Sequence, residues 1–112
     1  MAVYVSNITI PIGEDFEQVF VLENNIGNST FDLSNYAARS FLKKHPSSLN
    51  TTAIFEVVFT NEEAGELAIS LGSSVTSLLK PGRYSYDILI DDGIKKKRVV
   101  EGSALVTAGV TT

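Results

Sequence analysis

The chain has no cysteine, no tryptophan, one histidine and three prolines in 112 residues. Without cysteine it has no disulfide, no thiolate nucleophile and no cysteine-held zinc, which fits folding in a reducing cytoplasm. With His45 as the single imidazole, imidazole-based catalysis has little to draw on. The missing tryptophan removes a strong stacking surface for sugar rings. The opening MAVYVSNITIPIG lacks the basic start and apolar core of a secretory signal, and no apolar run approaches membrane-spanning length. Export by the usual route and membrane insertion are therefore not expected, and the sequons at Asn7, Asn28 and Asn50 read as chance matches. Basic residues are outnumbered, nine to thirteen, giving a net charge of -4. That balance opposes general nucleic-acid binding, with KKKR at 95–98 as a local exception.

What the chain does have is a hydrophobic fraction of 44%, enough for one domain over residues 1–112 that buries roughly two thirds of its unfolded surface. The apolar residues alternate in short runs between turn residues, the pattern of half-buried strands. About seven strands are expected, near residues 3–10, 16–22, 36–43, 53–59, 66–71, 83–90 and 95–107. The last is expected to be interrupted at Glu101-Gly102, by a bulge or a close backbone approach. NNIGNS at 24–29 and DDG at 91–93 supply turn residues. Pro46 discourages pairing within the loop 43–52. GSSVTSLLK at 72–80 predicts one helical turn with a serine cap, stopped by Pro81.

Few residues gather in patterns that carry chemistry. Glu14, Asp15 and Glu17 could be paired carboxylates, but glycoside hydrolysis needs a cleft and a set separation, and a solvated turn explains them better. Asp87, Asp91 and Asp92 do not have the spacing of a calcium loop. There is no nucleophile elbow and no phosphate-binding loop. No catalytic residue, cofactor or metal site is expected. The KKKR run fits better as a guard against unwanted strand pairing than as a phosphate site.

The stretch LLKPGRYSYDILIDDG, residues 78–93, is the most informative. Pro81-Gly82 followed by Tyr84 resembles the corner before a central strand of fibronectin-type and other immunoglobulin-like sandwiches, where a tyrosine hydroxyl bonds back to nearby main chain. Tyr84 is the corner candidate. Asp87 then points to the opposite face, and strand order places Arg39 on one side of it and Lys97-Arg98 on the other, with Arg39 expected as main partner. Phe41 and Leu89 would share that outer face, as a candidate contact patch.

Gly13-Glu14-Asp15-Phe16, Asp32-Leu33-Ser34-Asn35-Tyr36 with Ala38-Arg39, Pro81-Gly82 with Tyr84, Tyr86 and Asp87, then Arg98, Glu101-Gly102 and the ending VTAGVTT occur in one order. In this the chain resembles a tailed-bacteriophage virion module, typified by the N-terminal domain of baseplate upper proteins and by related small marine-phage structural proteins. The resemblance implies an all-β, immunoglobulin-like antiparallel β-sandwich with a tyrosine-corner-like turn and one short helical turn. It also implies a non-enzymatic attachment or decoration protein of baseplate, tail or capsid surface, made in the host cytoplasm and carried in the virion. Its partners would be other virion proteins, with self-association possible and neither nucleic acid nor membrane involved. The alternative function is a carbohydrate-binding or adhesive sandwich for host attachment.

Overall fold

The computed structural model describes residues 4–22, 33–45, 47 and 49–109. The turn expected at 24–29 and Pro46 lie outside the described residues. The elements in chain order are β1 (Tyr4–Val5), β2 (Ile8–Pro11), β3 (Phe16–Val21), β4 (Ala37–Lys43), β5 (Ala53–Asn61), β6 (Glu66–Leu71), α1 (Ser73–Thr76), β7 (Gly82–Asp91) and β8 (Lys96–Thr107). The fold is all-β and sandwich-like with one short helical turn. The first expected strand is split in two, and the others begin and end within two residues of their expected limits.

A larger sheet pairs β1 and β2 with β8, then β7, β4 and the first residues of β5. A smaller sheet joins the rest of β5 to β6 and β3. Because β5 belongs to both, hydrogen bonding runs continuously from β1 and β2 at one end to β3 at the other, and the sandwich is nearly a barrel. The expected antiparallel order needs one correction: β1 and β2 run parallel to β8. The first strand lies beside the last and runs in the same sense.

Alternation sends Leu42, Ile88, Ile90 and Val100 of the larger sheet, and Leu67, Ile69 and Leu71 of the smaller, into one core. Phe55 joins the layers, its ring 6.0 Å from Phe16 and 6.2 Å from Tyr86. Burying each such side chain contributes about 1.5–3 kcal/mol as an upper bound. No buried side-chain polar atom among the described residues lacks a hydrogen-bond partner.

The helical turn is capped differently from the expectation. Gly72 occupies the N-cap and makes no side-chain bond. Instead Asp15, from the turn before β3, accepts the Ser73 N–H at 2.7 Å. This carboxylate satisfies a backbone donor that the helix leaves open. Thr76, fully buried, accepts the Gly13 N–H at 3.2 Å and donates to the Glu14 carbonyl at 2.8 Å. The acidic turn at Glu14-Asp15 therefore holds the helical turn to the strands.

The irregularity of β8 divides between two places. The bulge sits at Val99, since Ile88 pairs with Val100 and Leu89 with Arg98. Both Val99 and Val100 are buried. Gly102 is the close approach: a Cβ there would fall 2.7 Å from the Ser6 carbonyl carbon. Ser6 and Asn7 leave the parallel ladder at this point. The Ser6 carbonyl accepts the Tyr86 hydroxyl at 2.6 Å, and the Asn7 side chain accepts the Ser103 N–H at 3.1 Å. Burial raises the Tyr86 pKa above the usual 10.0, because the phenolate would lose its solvation.

Candidate functional site

Tyr84 is buried, and its hydroxyl donates to the Lys80 carbonyl at 2.8 Å. The helix closes at Thr76 with Ser77 as its C-cap, before Pro81 is reached, so the expected stop at Pro81 is corrected; Gly82 opens β7 at φ +149°, a conformation that favours glycine. The Lys44 ammonium lies 4.6 Å from the centre of the Tyr84 ring, a cation–π contact the sequence reading did not include. Corner and ring together fix where β7 enters the larger sheet.

That entry sets the register of the outer face. Phe41 stands directly opposite Asp87, and Arg39 opposite Leu89. On the other side Asp87 faces Glu101, and Leu89 faces Arg98. The outer face thus carries Ile54, Phe41, Asp87 and Glu101 in one row across the strands, with Arg39, Leu89 and Arg98 in the next.

The expected partner of Asp87 is corrected here. Its carboxylate accepts from Arg98 Nε at 2.8 Å, with the two side chains 35% and 51% exposed respectively, and this is the ion pair among the described residues. Arg39 is not its partner. Both arginines lie one diagonal step from Asp87, but the bulge at Val99 shifts the phase of β8 so that Arg98 faces outward, and adds local twist on that side. Arg98 also offsets the repulsion between Asp87 and Glu101, which stand directly opposite each other. On the inner side, the buried Ser40 hydroxyl donates to the Asp87 carbonyl at 2.6 Å, tying β4 to β7 beneath the face.

The face is concave. A depression of about 650 Å³ is bounded by residues that include Arg39, Phe41, Lys43, Asp87, Leu89 and Arg98. Phe41 and Leu89 are half-buried within it. Ile54, opposite Phe41 on β5, is 65% exposed. Arg39 and Lys43 make no ion pair among the described residues. Phe41 and Leu89 therefore share the depression with an internally paired Asp87 and Arg98, and two cations stand along β4.

The acidic residues singled out in the sequence do not converge. Asp15 caps the helical turn, Glu17 lies on the smaller sheet, and no group of three or more potential metal ligands occurs among the described residues. Asp91 ends β7 and Asp92 begins the turn to β8. Asp91 accepts the Gly93 N–H at 2.8 Å, and Asp92 accepts from Ile94 at 2.8 Å and Lys95 at 2.7 Å. The Lys95 and Ile94 main-chain donors hold the Asp92 carboxyl below its ordinary pKa of 3.8. The KKKR run is exposed, but β8 is not an edge strand along its later half, where β1 and β2 cover it.

The close approach at Gly102 was expected, but not Ser6 and Tyr86 as its surroundings; Thr76 and the position of the bulge, at Val99, that delivers Arg98 were missed. Tyr86 carried a signal, because it lies two residues from Tyr84 on the buried face and its hydroxyl needs an acceptor. Thr76 carried none, since the Gly13 and Glu14 main chain that it joins to the helical turn is more than sixty residues away.

No protein-family model matches the chain, and no curated protein matches it. Among solved structures it is similar to InlP of Listeria monocytogenes, at 14% identity and a TM-score of 0.44 over 93% of this chain and 26% of that one. It is also similar to a family 123 glycoside hydrolase from Clostridium perfringens that hydrolyses glycolipid glycans, at 16% identity and a TM-score of 0.43 over 100% of this chain and 24% of that one. The chain thus spans about a quarter of each of these proteins, and at such scores the similarity assigns neither family nor activity.

Proposed function

We propose that the protein is a non-enzymatic attachment module of a bacteriophage particle, and that it contacts its partner through the concave outer face of β4, β7 and β8. The observation that carries the contact is the placement of Phe41 and Leu89 one diagonal step apart on adjacent strands, in a depression lined also by Arg39 and Lys43. Large apolar side chains set among charged ones suit a protein-binding patch. Cations with no ion-pair partner among the described residues can set the orientation of an incoming surface. The virion setting rests on the ordered sequence resemblance from Gly13 to the C-terminal VTAGVTT.

Mass spectrometry of separated head and tail fractions from purified particles tests the setting. Detection in one fraction is the expected result, and absence from both rejects it. Leu89→Glu tests the face. It places a carboxylate among apolar neighbours on the solvent side of the sheet, so the variant folds but its incorporation into particles falls. Incorporation at the wild-type level would remove this face as the attachment surface.

A further inference from the structure

All nine lysines and arginines lie within residues 39–44 and 80–98, that is, in β4, β7, β8 and the segments joined to them. The strands that build the smaller sheet contain Glu17, Glu56 and Glu66 and no lysine or arginine. The turn from β5 to β6 adds Glu62 and Glu63. The sandwich is therefore divided by charge, with its cations concentrated on the larger sheet and the smaller sheet purely acidic.

The smaller sheet also has an unpartnered apolar row among the described residues. Val19, Ala68 and Val58 are register neighbours across β3, β6 and β5. Val19 and Val58 are 42% and 49% exposed, and Val21 beside them 51%. The next row is Glu17, Ser70 and Glu56. Acid and valine are thus separated by one two-residue step, about 7 Å along a strand. On the larger sheet the same step separates Phe41 from Arg39 on one side and from Lys43 on the other. On each face exposed or half-buried apolar side chains thus stand one two-residue step from charged ones, cations along β4 on the larger sheet and carboxylates along β3 and β5 on the smaller.

We infer that the occupant of the concave face is a second copy of this chain, docked by the outer face of its smaller sheet. This rests on the contact surface proposed above and names its partner. Such a contact is heterologous, because two different patches meet. Each copy would keep one free basic face and one free acidic face, so association would continue to a ring or an open row rather than stop at two.

Sedimentation velocity from about 10 μM to about 1 mM, a range that resolves weak association, tests this with two charge-reversed proteins. One carries Arg39→Glu with Lys43→Glu, and the other Glu17→Lys with Glu56→Lys. All four positions are on outer faces, and circular dichroism verifies folding. If a reversal unfolds the protein, the neutral changes to Gln replace it. The wild type is expected to show concentration-dependent species beyond the monomer. Each reversed protein alone should associate roughly tenfold or more weakly, from like-charge contact. An equimolar mixture should recover association, because the two reversed faces now match each other. A wild type that stays monomeric throughout, a smaller-sheet reversal without effect, or a mixture that does not recover would each overturn the inference. If the smaller-sheet reversal changes nothing while Leu89→Glu still lowers incorporation into particles, the concave face binds a different component. In that event self-docking fails and the attachment reading stands.

Discussion

Replacing Gly102 with alanine is expected to destabilise the protein at a position where backbone conformation alone predicts the opposite. Gly102 does not adopt the positive φ found at Gly13, Gly65, Gly82 and Gly93. Alanine should then stabilise by about 0.4–1 kcal/mol, by restricting the unfolded chain. The Ser6 carbonyl reverses the sign. An alanine Cβ would lie 2.7 Å from its carbon and closer still to its oxygen, both backbone atoms that cannot rotate aside. Relieving that overlap must move the connection between β1 and β2, at about 1–3 kcal/mol for overpacking. The Tyr86 hydroxyl, which donates to the same carbonyl at 2.6 Å, would lose its acceptor, at about 0.5–1.5 kcal/mol. The net expectation is a loss of roughly 1–4 kcal/mol. Urea denaturation of Gly102→Ala, Tyr86→Phe and the double variant measures it. Tyr86→Phe alone should cost about 0.5–1.5 kcal/mol. The double variant should cost less than the sum by about 1 kcal/mol, because either change already breaks the hydroxyl–carbonyl bond. A neutral or stabilising Gly102→Ala, or strict additivity, would refute the reasoning.

Tyr84→Phe removes the bond to Lys80 and keeps the buried ring, so the denaturation midpoint should fall by an equivalent of about 0.5–1.5 kcal/mol with unchanged slope. A double-mutant cycle of Asp87→Ala with Arg98→Ala should give a coupling of about 0.2–1 kcal/mol, towards the low end because both groups are partly solvated. The cycle of Asp87→Ala with Arg39→Ala should be additive. Carbon-detected NMR titration should place the Asp92 midpoint below 3.8. With the folded pKa depressed, the turn's contribution is complete above the unfolded value and is lost as pH falls through the folded one. A midpoint at or above 3.8 would mean that the Ile94 and Lys95 donors do not hold the carboxylate in solution.

Strand positions were legible in the sequence because alternation and burial coincide. Leu42, Ile88 and Ile90 are apolar where the strand faces inward, and Arg39, Lys43 and Asp87 are polar where it faces out. The Tyr84 corner was legible because donor and acceptor are four residues apart. The partner of Asp87 was not, because it depends on the phase of β8. The bulge that sets this phase occurs inside KKKRVVEG, where two adjacent valines both turn inward and nothing local marks which residue is extra. Thr76 and Ser6 were illegible for a related reason. A small polar residue reads as surface until the distant main chain that satisfies it is known.

The parallel alignment of β2 with β8 also decides how the sandwich would meet a pulling force. Chain entering through β1 and chain leaving through β8 depart toward opposite ends of the ladder, since Ile8 pairs with Ala104 and Pro11 with Thr107 in the same sense. Tension applied through both would slide the two strands along each other, straining the hydrogen bonds between them together instead of peeling them apart one by one. The Tyr86–Ser6 bond and the Asn7–Ser103 bonds lie across that slip plane. Their removal should shorten the lifetime of the folded domain under force, because rupture follows the unfolding barrier more closely than equilibrium stability.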